Sequence, residues 1–321
     1  MHPILKLVIQ RLALGLLLLL AASVLIFVGT QILPGDVAQA VLGQNATPEA
    51  LANMRASLGL DQPAYARYFS WLFSALHGDL GHALSNGRDI AESISGRMRN
   101  TLFLASVAAA ISVPLAIFLG LLAVRYRDRW PDRLISAITL ASISLPEFLL
   151  GYVIMYVFSV QLGWFPSIYD TTLVVNDWSS FKTQLQQMVM PVMVLALQTT
   201  AQISRYMRAS MLDNLNQDYV RTARAKGLSE AVVVGVHVLR NSMIPVVTVI
   251  ALNVPSIFGG AIITENVFKV NGIGQLLITW LFANDLPGVM TLTFIFAFLI
   301  VIFNLIADIL YGILDPRIRY D

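Results

Sequence analysis

The chain has no cysteine among its 321 residues, which excludes disulfides, thiol nucleophiles and thiolate metal sites. It has four histidines, His2, His77, His82 and His237, and no HExxH or EF-hand spacing. A structural metal or a metal-dependent hydrolase site therefore lacks a ligand set. No GxxxxGK(S/T) run occurs, so the loop that cradles nucleotide phosphates is missing. Charge is scarce as well: 12% of residues are charged, against about 25% in an ordinary soluble domain. What is present is apolar, 57% of the chain, and that balance implies a polytopic membrane protein. The net charge of +2 is small, so the placement of charges carries more than their sum.

Lys6 and Arg11 precede a leucine run and Ala21-Ala22-Ser23 imitates a cleavage site. The apolar run from Leu12 to Ile32 is longer than a signal-peptide core of about 7 to 15 residues, so it reads as a retained first span. A helix crossing the hydrocarbon layer needs roughly 20 apolar residues. Six stretches meet or approach that length: Ile9 to Ile32, Thr101 to Val124, Leu134 to Leu162, Met188 to Ile203, Ser242 to Ile263 and Val289 to Leu314. An even number puts both termini on one side. Lys6, Arg11, Arg125, Arg127, Arg129, Arg133, Arg205, Arg208, Arg221, Arg224, Lys226, Arg240, Arg317 and Arg319 all fall on that side, and the positive-inside rule makes it the cytoplasm.

The connection from Pro34 to Asn100 is then external and folded. Thr47-Pro48-Glu49 is a helix start with cap, proline and first-turn acid, Gly59 can end that helix, and Asp61 is expected to cap a second one. In the second helix Tyr65, Tyr68, Phe69, Leu72, Phe73 and Leu76 form one apolar stripe. The stripe must be covered by the outer ends of the spans, by the lipid interface with Trp71, or by an external protein.

Polar residues inside the spans mark candidate pathway positions. Glu147 follows Ser144-Leu145-Pro146 in the third span, where an ionisable group usually faces a bundle interior or an aqueous path. Gln198, Thr199, Thr200 and Gln202 make the fourth span the least apolar, as helix-to-helix glue or a wet lining. Asn253, Pro255 and Gly259-Gly260 allow the fifth to bend, and Asn304 and Asp308 in the sixth are one turn apart, suited to a bond with another helix.

The long polar interruption is Asp218 to Pro245. Asp218 is a candidate N-cap, Tyr219 to Lys226 favours helix, and Gly227 can end it in the left-handed conformation. A helix this short is marginal alone and needs a surface to dock on. From Ser229 a second helical run, with Val232, Val233, Val236 and Leu239 as its apolar face, leads into the fifth span as a lever.

DYVRTARAKGLSE followed by HVLRNSMIPVVTV closely resembles the cytoplasmic loop of the permeases of dipeptide and oligopeptide ABC importers, the branch that includes nickel and glutathione permeases. ILPGD at Ile32 to Asp36, LGLDQP at Leu58 to Pro63, GDLG at Gly78 to Gly81, SLPEF at Ser144 to Phe148, LGWFP at Leu162 to Pro166 and the terminal DPRIRYD extend the likeness over nearly the whole chain. The resemblance implies an all-α membrane protein: a type I importer transmembrane domain of six transmembrane helices, with a folded external loop between helices 1 and 2. It divides into residues 1–33 with the first span, an external (periplasmic) loop over 34–99, and a five-helix core over 100–321 carrying a cytoplasmic coupling loop at 205–241.

The same resemblance implies that Asp218, Tyr219, Arg221, Thr222, Ala223, Arg224, Lys226, Gly227, His237 and Arg240 couple the chain to a cytoplasmic ATPase, with loop helix 218–227 seated in its cleft. The general importer loop reads Glu-Ala-Ala, three residues, Gly, nine residues, Ile-x-Leu-Pro. Ala223, Gly227 and Leu239 match it, whereas Arg221, His237 and Arg240 replace its glutamate, isoleucine and proline. Implied partners are a paralogous permease, two ATPase subunits holding ATP and Mg, an external binding protein and membrane lipid, with no nucleic acid and no cofactor on this chain. The place is a bacterial inner membrane with both termini cytoplasmic, and the cargo is short peptides or similar small solutes. Two alternatives stand beside it. One is a proton-coupled secondary transporter using Glu147, which predicts inverted repeats. The other is a membrane enzyme with His77 and His82 as ligands, although five residues' spacing puts them off one helical face.

Overall fold

The computed structural model describes residues 3–32, 37–43, 46–57 and 59–314. Expectations that rest on the Lys6 side chain, Pro34, Asp36, Leu58, Arg317 and Arg319 lie outside what is described. The leucine-rich start forms α1 (Pro3–Ile32), which packs along α13 (Leu286–Leu314) and leaves many of its leucines exposed. Arg11 and Asp308 pair at 3.2 Å between these two helices, so Asp308 of the polar pair expected in the sixth span bonds to another helix, while Asn304 is exposed.

Four segments have the length and apolar composition to cross a membrane: Val8–Ile32, Ile90–Arg125, Glu230–Asn253 and Leu286–Ile306. The run read as one third span is broken. α6 (Trp130–Ser144) and α7 (Glu147–Met155), which continues as a π-helical turn Tyr156–Gln161, meet at 112° across Leu145-Pro146. Proline has no N–H to give and clashes with the preceding turn, which is why the break falls there. Counted as one crossing, the bent pair makes five.

The remaining helix, α8 (Trp178–Leu215), has 38 residues, about 57 Å at 1.5 Å per residue. It starts in a capping box, where the Ser180 amide and hydroxyl donate to the Asp177 carboxylate and hold it below its ordinary pKa. Its polar composition has a structural reason. α8 is the hub that packs on α5 (Ile90–Arg125), α6, α7 and α11 (Leu239–Phe268), so Thr199, Thr200 and Ser204 are buried against protein rather than lipid. Thr200 Oγ1 donates to the Ser112 carbonyl of α5 at 3.3 Å. Gly120 lets α5 approach: a β-carbon there would overlap Met207 of α8. With α8 counted, the arrangement is consistent with six spans.

The segment between α1 and α5 holds α2 (Val37–Leu42), α3 (Pro48–Ser57) and α4 (Ala64–Leu76). Thr47 Oγ1 accepts from the Ala50 amide as its cap position requires. Asp61 does not cap α4, because Pro63 occupies the N-cap position and makes no side-chain bond. The apolar stripe of α4 is split. Tyr68 is buried against Phe27 and Met290 and shares a 2.8 Å hydrogen bond with Ser23, so α4 lies along the outer half of α1. Tyr65, Phe69, Phe73 and Leu76 remain exposed.

Two buried carboxylates tie the loop end together, and sequence reasoning missed both roles. Glu265, near the end of α11, accepts from Thr101 Oγ1 (2.6 Å) and from the amides of Gly274 (2.7 Å) and Gln275 (3.1 Å) at the start of α12 (Ile273–Phe282). It is a carboxyl group from one helix placed at the N-terminus of another, where its oxygens satisfy otherwise unpaired amides. Asp285 caps α13 through the Gly288 amide and also accepts from the Ser85 amide and hydroxyl at 2.8 and 2.7 Å, pinning the segment between α1 and α5 to the bundle.

Candidate coupling site and membrane pathway

α9 (Asp218–Ala225) forms where the sequence places it, with corrected caps. Gln217 is the N-cap and makes no side-chain bond; Asp218 is the first helical residue, where its charge still complements the dipole. Thr222 Oγ1 donates to the Asp218 carbonyl, and Gly227 takes φ +76° just past the C-cap Lys226. That conformation suits glycine, because a β-carbon would crowd the following carbonyl.

The helix does not wait for a foreign surface to dock on. Val220 and Ala223, three apart on one face, are buried in a cluster with Met207 and Met211 of α8 and with Val233 and Val238. Tyr219 Oη donates to Asn214 Oδ1 at 2.9 Å. Ala223 therefore points into this chain rather than toward a partner. Asp218, Arg221, Thr222, Arg224, Lys226 and Gly227 are exposed and form one continuous polar face. Arg224 donates to both Glu230 oxygens at 3.1 and 2.7 Å, and this bond raises its guanidinium further above the ordinary arginine value. The Arg221–Asp218 pair, at 3.4 Å and fully open to water, is a weak contact.

The lever beyond α9 has a different register from the predicted one. After α10 (Glu230–Val232) the backbone runs as a π-helical segment, Val233–Val238, before α11. In a helix bonded i to i+5, residues five apart share a face. Of the apolar face expected on a 3.6-residue period, Val233 is buried and Leu239 packs against the same cluster, whereas Val232 and Val236 are exposed and Val238, five residues after Val233, is buried instead. His237 is half-buried and Arg240 exposed, on α11's approach rather than on α9's face. Reciprocal bonds, Ser210 Oγ to the Ser242 carbonyl (3.1 Å) and Ser242 Oγ to the Ser210 carbonyl (3.3 Å), fasten α11 to α8. Nearby, Arg208 of α8 clamps Asp132 of α6 with two 2.8 Å bonds, and the Asp128 amide also donates to Asp132. The acid in Trp130-Pro131-Asp132 is a first-turn signal that the sequence displays, but its partner is 76 residues away.

The pathway candidates do not converge on one cluster. Glu147 opens α7 and accepts from Thr264 Oγ1 of α11 at 2.7 Å, beside Gly260. Gln198 Nε2 donates to the Leu145 carbonyl at 3.2 Å, satisfying a backbone group that the Pro146 break exposes. Asn253 bonds back to the Val249 carbonyl of its own helix. Glu147 and Gln198 thus flank the bend between α6 and α7, and Asn253 stands apart. Among the described residues no group of three His, Cys, Asp or Glu side chains is placed to hold a metal.

With this geometry in hand, comparison with known proteins is direct. The family of binding-protein-dependent transport system inner membrane components matches residues 112–320, and the N-terminal model of the same transport systems matches residues 4–105. A glutathione transport system permease protein of Escherichia coli O6:H1 (strain CFT073) is 39% identical over 314 residues, 98% of either chain. The counterpart in strain K12 is 38% identical over the same length and share. A chain from Brucella abortus (strain 2308), named as a peptide transport system permease protein, is 36% identical over 320 residues, 98% of this chain and 99% of its own. The residues that build α8, α9 and the π-helical lever all fall inside the larger match, and the chain belongs to the inner-membrane components of binding-protein-dependent transport systems.

Proposed function

We propose that the chain forms half of the path for short peptides or glutathione-like solutes in an ATP-driven importer, with a paralogous permease, two ATPase subunits and an external binding protein. The observation that carries this reading is α9: a helix held from behind by Val220 and Ala223, with Asp218, Arg221, Thr222, Arg224 and Lys226 facing outward on a lever that runs into α11. The relatives' names support the cargo class. A nucleotide-driven closure of the ATPases would push α9, and register slippage in the π-helical turn Val233–Val238 would give the lever a place to yield. His237 and Arg240 would meet the ATPase beside the tip. Glu147, Gln198 and Asn253 would line or steady the path, and the exposed aromatic face of α4 would lie in lipid. Termini and α9 belong on the cytoplasmic side by the arginine distribution. The proton-coupled alternative draws no support from the family match.

The test is reconstitution of the complete importer in liposomes with Arg221→Glu and Gly227→Pro variants. Both should insert and assemble with the paralogous permease, yet lose peptide uptake and the ATPase stimulation caused by the loaded binding protein. Normal stimulated ATPase activity in both variants would refute the coupling role.

A further inference from the structure

At the loop end a cavity of about 750 Å³ opens between the start of α5, the stretch before α8 and the α11–α12 corner. Its volume is in the range of small-molecule sites, about 300–1,000 Å³. Its walls carry Arg88, Arg97 and Arg99 against a single acid, Glu92. Three positive charges and one negative leave an excess of two positives at one mouth. The floor is polar and built: Asn100 is buried with Nδ2 bonded to the Asn271 carbonyl at 2.9 Å, and Gln184 is buried beside Tyr169.

The arginines are not spent on the protein. Arg97 is half-buried, and it donates to Gln275 Oε1 across a long 3.4 Å contact. The nearest buried carboxylate, Glu265, acts on it through space, because both Glu265 oxygens are already engaged by Thr101, Gly274 and Gln275. Among the described residues no carboxylate pairs with Arg88 or Arg99. A partly desolvated guanidinium without a bonded anion is costly and is relieved by a planar carboxylate that can take two parallel N–H bonds.

We propose that this cavity is an anion subsite on the outer face of the permease that receives the carboxylate of the cargo, through Arg97 and Arg99 with Arg88 at the rim, before the cargo enters the bundle. It deepens the importer reading above and rests on it for the identity of the cargo. Chemistry then selects cargo at the permease itself: solutes bearing a carboxylate are held at the mouth, and the same solutes with that group masked are not.

Two measurements on the assembled importer test it. Phenylglyoxal modification of individual arginines, read by mass spectrometry, is run with N-acetyl-alanyl-alanine or its C-terminal amide at millimolar concentration. The acid should protect Arg97 and Arg99 while leaving the exposed Arg129 at the opposite end unaffected, and the amide should protect none. Equal modification with acid and amide overturns the proposal. In liposomes, Arg97→Gln with Arg99→Gln should lower uptake of a carboxylate cargo about ten-fold, the loss of one charged hydrogen-bonded contact, while ATPase stimulation by the loaded binding protein persists. A parallel loss of stimulation would assign the arginines to docking of the binding protein and overturn the subsite. If the wild-type importer takes up no peptide at all, the functional reading falls, and arginine protection by the acid still decides the subsite separately.

Discussion

Replacing Val220 by alanine isolates what holds α9 in place. Val220 is fully buried among Met207, Met211, Ala223, Val233 and Val238. The substitution removes two methyl groups, about 0.8 kcal/mol each, and leaves a small void, for a total of about 2 kcal/mol. Little else offsets that loss. α9 has eight residues and no side-chain N-cap, and its Arg224–Glu230 pair is half-exposed, worth about 0.2–1 kcal/mol. The helix should therefore detach more often without the bundle unfolding. At 1.4 kcal/mol per factor of ten, amide hydrogen exchange in residues 219–226 should accelerate about thirty-fold, with exchange in the middle of α8 unchanged. Mass-spectrometric exchange on the permease pair in detergent reads both segments at once. An unchanged rate in α9 would refute the view that this chain, rather than the ATPase, fixes the helix. An equal acceleration throughout α8 would show that Val220 belongs to the global core instead.

Other substitutions probe the long-range contacts. Gly272→Ala would force a β-carbon into the Glu265 carboxyl, and Glu265→Gln, keeping its oxygen on the Gly274 and Gln275 amides, would turn its Nε2 toward Thr101 Oγ1 and remove the acceptor for that hydroxyl. Each should lower thermal stability in detergent, the second by about 1–3 kcal/mol, and retention of the wild-type midpoint would refute the cap. Asp132→Asn leaves the Arg208 guanidinium with half its contact; because Arg208 is about one-third exposed, a loss of about 1–3 kcal/mol is expected, smaller than for a fully buried pair. Asp285→Ala removes a helix cap, about 1 kcal/mol, and also frees Ser85. Limited proteolysis from the outside should then cut near residues 84–88 faster, and an unchanged rate would show that the external segment is held elsewhere.

Where the chain crosses the membrane was legible because crossing is a local property: a run of apolar residues meets hydrocarbon wherever its neighbours sit. α1, α5, α11 and α13 came from such runs, and the terminating role of Gly227 from backbone sterics at one residue. The polar surface of α9 and the family it belongs to were readable for the same reason, as an ordered string of residues. α8 was harder, since its polar side chains are tolerated only because four other helices screen it from lipid.

What the sequence by itself determined is thus the helical class, the apolar segments and the place of the short polar helix α9, each set by side chains acting on their own stretch of chain. Tertiary structure decided the rest. Pro146 announces a break, but its 112° angle reflects packing of α7 against α8 and α11 and the Gln198 bond to Leu145. The π-helical register that buries Val238 with Val233, and leaves Val232 and Val236 exposed, is chosen by the cluster they enter, not by a 3.6-residue pattern. Glu265 and Asp285 gain their roles from Thr101 and Ser85, 164 and 200 residues away, and pairings at that separation leave no mark on local sequence.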